Sequence, residues 1–149
     1  MDETYVHSNT LGQKKKKFLW KIDESSNIYI RRQFKNESEM RTERVTNDEL
    51  NKINEYMKKG GWKDLANNVE LLSTGAEKEG IGKFMYGLHP NTTYAQLSSH
   101  ISSIFYNAGV WDWNGKERGM MFLINSGNWS EKTSAYYNKL LNDSSYHIK

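Results

Sequence analysis

The chain of 149 residues has no cysteine. This excludes a disulfide framework, a thiolate metal site and a cysteine nucleophile. Proline occurs once, at Pro90. No apolar run approaches the length of a membrane-spanning helix, and the opening residues MDETYVHSNT lack the apolar centre of a signal peptide. The expectation is a cytoplasmic protein with no membrane partner. The four histidines, His7, His89, His100 and His147, show no His-x-x-x-His or Glu-x-x-His pairing, so no metal site is expected. The glycine-rich stretch from Gly75 to Lys83 lacks the Gly-Lys-Ser/Thr ending of a phosphate loop and follows no apolar strand. Its glycines suit close helix packing better, with Lys83 left as a candidate phosphate contact. No catalytic residue and no cofactor are expected, and the chain does not read as an enzyme.

Hydrophobic content is low at 36%, with a mean hydropathy of −0.87. Five Trp, nine Tyr and five Phe nevertheless argue against disorder, because they are bulky enough to hold a small core together. The net charge of +3 permits nucleic-acid binding without demanding it. Its distribution is uneven: Lys14 to Lys17 form an unbroken run, and Arg31–Arg32 and Lys58–Lys59 form pairs. A short lysine run reads as a solubilising flank or as a phosphate-seeking arm.

The pattern predicts an α+β chain. Residues 1–13 read as a flexible tail and 14–149 as one domain, with a small antiparallel β-meander over 14–45 and a helical bundle over 46–149. In the meander, Phe18, Trp20 and Ile22 alternate, then Ile28, Ile30 and Arg32, and residues 40–45 add a third strand. Thr46 with Glu49 is a capping box that opens a helix running towards Gly60–Gly61. Further helices are expected over 62–72, 77–88 and 129–141, with Pro90 stopping the second of these.

The segment from Asn91 to Ile124 carries most information. Thr93 with Gln96 fits a second capping box, and Leu97, Ile101, Ile104, Phe105 and Ala108 form a core-facing stripe up to Gly109. The other face bears Gln96, Ser98, Ser99, His100, Ser102, Ser103, Tyr106 and Asn107, with no charge at all. Such a face suits close contact, either with a bound partner or with another element of the same domain. A hairpin follows over 110–124, turned on Asn114–Gly115, with Trp113 opposite Lys116, Asp112 opposite Glu117 and Trp111 opposite Arg118.

Residues 77–124, taken as helix, short turn, helix and Asn-Gly hairpin, resemble the winged helix-turn-helix superfamily in the order of their elements. The resemblance implies a small regulator or accessory factor that binds duplex DNA. It implies that the helix 93–107 presents Gln96, Ser99, His100 and Ser103 to a groove, that Lys116 and Arg118 sit on the wing, and that Lys83 contacts the backbone. The helix departs from the usual pattern in having neither Arg nor Lys.

Two other functions fit the same residues. One is a protein-interaction module, an inhibitor or adaptor of the kind a phage or other mobile element carries. It would use the serine-rich helix face and the aromatic hairpin, and it could form a homodimer through the N-terminal strands. The other is a metal-dependent nuclease built from acidic residues such as Glu70, Glu77, Glu79, Asp112 and Glu117 converging on Mg²⁺.

Overall fold

The computed structural model describes residues 4–34, 38–125 and 127–143. The first three residues of the expected tail, the last residues 144–149 with His147, and Ser126 lie outside them.

The fold is α+β. Four antiparallel strands form a meander in chain order: β1 (Val6–Asn9), β2 (Lys17–Ile22), β3 (Ile28–Gln33) and β4 (Met40–Val45). The alternation read from the sequence sets the register, since Trp20 pairs with Ile30 and Ile22 with Ile28. These four side chains, with Phe18 and Val45, are buried on the inner face. At β4, one of the two edges of this sheet, the exposed Arg41 and Arg44 discourage pairing with a second chain.

β1 corrects the expectation of a flexible tail over 1–13. Val6 is fully buried and pairs with Trp20. The strand is only four residues long, too short for its period to stand out in a polar stretch.

The helical part opens with α1 (Asn47–Met57), whose capping box is present in full: Thr46 and Glu49 bond each other's backbone amides. Glu49 also bonds His89 Nε2, beyond the end of α3 (Ile81–Leu88). Burial alone would raise the Glu49 pKa, but the hydrogen bonds from Thr46 and His89 outweigh it and hold the carboxylate below its ordinary value. α6 (Trp129–Leu141) covers β1 and β2, with the boundaries its pattern predicts.

Other elements differ from expectation, among them the helix expected over 77–88, which begins only at Ile81. The span 62–72 is not one helix: Lys63–Asp64 form β5, the chain turns through Ala66 at φ 48°, and only α2 (Val69–Thr74) is helical. Asn68 caps α2 by accepting from the Leu71 amide. Apolar residues at helical spacing hid a strand that exists only because β7 offers it a partner.

The hairpin is also looser than a two-residue turn. β6 (Trp111–Trp113) and β7 (Met121–Ile124) pair Trp111 with Ile124, Asp112 with Leu123 and Trp113 with Phe122. Residues 114–120 form the loop. The tight turn would have paired β6 with the charged 116–118 and left Phe122 without a partner. The observed register buries Phe122 completely and lets β7 accept β5 on its other edge. Asn114 closes the loop, its amide side chain donating to the Gly119 carbonyl at 3.0 Å and accepting from the Lys116 amide at 3.2 Å.

The expected helix 93–107 is present as α4 (Thr92–Gln96) and α5 (Ser98–Asn107), with Leu97 between them. Its cap is Asn91, not Thr93, because the Asn91 side chain accepts from the amides of Thr93 and Tyr94. Gly109, at φ 82°, ends the helical stretch as the sequence indicates. α5 is the centre of the domain, packed on by β1, α3, α4, α6 and β6. Its stripe of Ile101, Ile104 and Phe105 joins Trp111, Trp129 and the sheet in one core. Among the described residues no helix is long and apolar enough to cross a membrane.

Candidate functional site

The uncharged face of α5 is covered mainly by its own domain. Ser98, His100, Ser102 and Ser103 are all buried. The Ser103 hydroxyl donates to the Asn9 carbonyl at 2.6 Å, and Ser98 donates to Ala95 at 2.7 Å. Serine is small enough for β1 to lie against the helix, and charge there would be stranded without water. α5 therefore does not stand clear of the domain as a groove-reading helix would, and Ser103 is out of reach of any ligand.

Tyr106 and Asn107 at its far end are exposed, and a second part of this face opens into a cleft. A cleft of about 530 Å³ lies between the β1–β2 loop, the end of β3, the α4–α5 stretch and the β5–β7 pair. Its lining includes Gln96, Ser99 and His100, three of the residues singled out from sequence, together with Lys14, Lys16, Lys17, Arg32 and Asn67. Among the described residues no carboxylate lines it.

The cations differ in role. Arg32 is structural: its guanidinium is forked on Glu43 at 2.6 and 3.1 Å and donates to the Thr93 carbonyl at 2.8 Å. That joins the sheet to α4 and offsets the charge locally. Lys15 is also engaged, with Glu117 at 2.9 Å. Lys14, Lys16 and Lys17 are exposed on the rim and form no ion pair among the described residues. They account for most of the uncompensated positive charge at the cleft.

The polar groups deeper in the cleft are neutral. Asn67 Nδ2 donates to Ser99 Oγ at 2.8 Å and to Ser98 Oγ at 3.1 Å. With Ser99 Oγ accepting from Asn67, its own proton is left to donate elsewhere. His100 stands edge-on to Phe18, with ring centroids 4.8 Å apart. Burial foremost, then the nearby Arg32 charge, pushes its pKa down to about 3, so the ring is neutral at physiological pH. The Gln96 backbone acts weakly in the opposite direction on His100, and among the described residues His100 Nδ1 and Ser102 Oγ are buried without a well-formed hydrogen-bond partner. Polar atoms orphaned at such depth each cost about 1–3 kcal/mol. Arg31 Nε, Tyr94 Oη and Thr133 Oγ1 are similar cases elsewhere, but His100 and Ser102 share one cleft lining.

The remaining candidates separate into two groups. Lys116 and Arg118 lie exposed on the 114–120 loop, and that loop is fastened to the cleft rim. Arg118 Nη2 donates to Gln13 Oε1 at 3.4 Å, beside the Lys15–Glu117 pair, and Gln13 lines the cleft. Lys83 is elsewhere: it donates to the Glu77 carbonyl at 2.8 Å, pairs with Glu79 at 3.2 Å and is not part of the cleft lining.

The sequence pattern placed Arg32 in a charge pair and a strand without giving it a site role, left Asn67 unmarked and weighted the lysine run towards a flank. The signal for the run was its position directly before a strand, which fixes where the lysines point. Nothing in the sequence marks Asn67, since its role depends on the chain reversal at Ala66. Among the described residues no three His, Asp or Glu side chains are grouped to hold a metal ion. Compared with protein-family models, with curated proteins and with solved structures, the chain matches none.

Proposed function

We propose that this is a cytoplasmic nucleic-acid-binding protein that grips phosphates with the rim of the cleft and with the hairpin loop. The observation that carries the reading is that, among the described residues, Lys14, Lys16 and Lys17 form no ion pair and stand on a cleft with no carboxylate in its lining. Lys116 and Arg118 extend the same positive surface, because their loop is tied to the β1–β2 loop through Gln13 and Lys15. From the winged-helix resemblance this reading keeps the hairpin as a phosphate-contacting flank. It drops insertion of the 93–107 helix into a groove, because His100 and Ser103 are buried.

Binding of labelled single-stranded and duplex oligonucleotides, followed by fluorescence anisotropy over a range of salt, tests it. Affinity is expected to fall steeply with salt, by about 0.7 to 0.9 in log–log slope per phosphate contact. The double variant Lys116→Ala/Arg118→Ala should flatten that slope. No detectable binding of either oligonucleotide at low salt would remove the proposal.

A protein-interaction reading rests on a different surface. Trp62, Val69 and Leu71, around β5 and α2, are each about two-fifths exposed despite their size. Self-association that disappears in Trp62→Ser/Leu71→Ser, with oligonucleotides failing to bind, would favour that reading.

A further inference from the structure

We infer that the cleft takes a single nucleoside phosphate, either a free nucleotide or one unpaired nucleotide of a strand, with the phosphate on the lysine rim and the base edge on Gln96 and Ser99. For the strand source this rests on the nucleic-acid reading above; for the free nucleotide it stands alone.

Size is the first argument. A cleft of about 530 Å³ lies within the range that holds a small molecule and is far too narrow for a base-paired duplex. The second is the order of chemistry from rim to floor. Flexible point charges stand outside at Lys14, Lys16 and Lys17, and neutral donors and acceptors stand inside at Asn67, Gln96 and Ser99. A simple anion would leave the inner groups unused, whereas a nucleobase edge carries both donors and acceptors. Leu65 and Met120 add an apolar wall suited to the face of a base. The third is the floor itself. His100 and Ser102, 6% and 1% exposed, line the cleft, and His100 Nδ1 and Ser102 Oγ have no well-formed hydrogen-bond partner among the described residues. Asn67 is held against α5 by its two serine contacts, so part of this surface is organised in advance.

The test compares three probes on one protein: AMP, a single-stranded oligonucleotide and a blunt duplex of the same sequence. Each is titrated against the wild type and against Gln96→Ala and Ser99→Ala, with thermal melting as the check on folding. The single strand should bind more tightly than the duplex, with AMP competing for it. Each substitution should weaken AMP and single strand about threefold to tenfold while leaving the duplex unchanged. AMP binding without strand binding would support the cleft assignment with a free nucleotide as its source and would overturn the nucleic-acid reading. Strand and duplex binding equally, with no competition by AMP and no effect of Gln96→Ala or Ser99→Ala in folded protein, would overturn the inference and leave that reading standing.

Discussion

Gly82→Ala should be among the most damaging single-methyl additions in this chain. A Cβ at Gly82 would lie 2.5 Å from the Ala66 carbonyl oxygen, 2.6 Å from Asn67 Cβ and 2.8 Å from Asn67 Cα. None of these atoms can swing aside, and the Gly82 amide is also held to the Leu65 carbonyl at 2.7 Å. Relief therefore requires α3 and the 65–67 segment to separate, at an overpacking cost of about 2–3 kcal/mol. For a chain of this size that corresponds to roughly 5–10 °C in Tm. Gly87, in the same helix, is the control, since a Cβ there meets nothing within 4 Å. Gly87→Ala should stabilise by about 0.5–1 kcal/mol through helix propensity alone. Paired thermal and urea denaturation of the two variants decides the matter. If Gly82→Ala melts with the wild type, the close approach of α3 to the Ala66 reversal is wrong. Because Asn67 orients the Ser99 hydroxyl, Gly82→Ala should also weaken nucleotide binding at temperatures where the variant is still folded.

Three further outcomes follow from the packing. His100 is held neutral by burial, so the unfolded chain binds its proton first as pH falls, and stability is lost below the ordinary histidine value of 6.5 towards about 3. Urea unfolding should show a loss of about 2 kcal/mol between pH 7 and pH 5 that is absent in His100→Gln; equal losses in both proteins would contradict the assignment. Asn54 is buried between Leu50 and Trp111, donating to the Leu50 carbonyl at 3.0 Å and accepting from the indole at 2.9 Å. Asn54→Ala strands the indole N–H and should cost about 1–3 kcal/mol in denaturant unfolding. Thr46→Ala removes one half of the capping box of α1 and should cost about 1 kcal/mol, measured in the same way.

The long periodic elements were legible in the sequence because their local pattern and their burial agree. Trp20, Ile28 and Ile30 alternate and face inward, Thr46 and Glu49 cap as spaced, and α6 keeps the boundaries of its apolar stripe. What was not legible depends on partners distant in sequence. β5 is two residues whose only claim to be a strand is β7, about sixty positions away. The hairpin register follows the burial of Phe122 against the core, which outweighed the strong turn preference of Asn114–Gly115. The serine face of α5 was visible as an anomaly, but the same composition suits a ligand and a neighbouring strand. Here Ser103 lies against β1 and Ser99 lines the cleft. The lysine run acquired meaning only when β1, unforeseen in the polar N-terminal stretch, paired with β2 and folded the lysines over α5.

The central claim is that the lysines of the cleft rim, and not net charge in general, hold nucleic acid. The direct test is the salt dependence of single-strand binding in Lys14→Ala/Lys16→Ala/Lys17→Ala, set against Lys59→Ala/Lys132→Ala/Lys139→Ala. The second variant removes the same charge from exposed lysines that are not part of the cleft lining. The rim variant should lose about two units of log–log salt slope while the control keeps the wild-type slope. Equal slopes in the two variants would show that binding, if any, is to charge alone, and would contradict the assignment of the cleft.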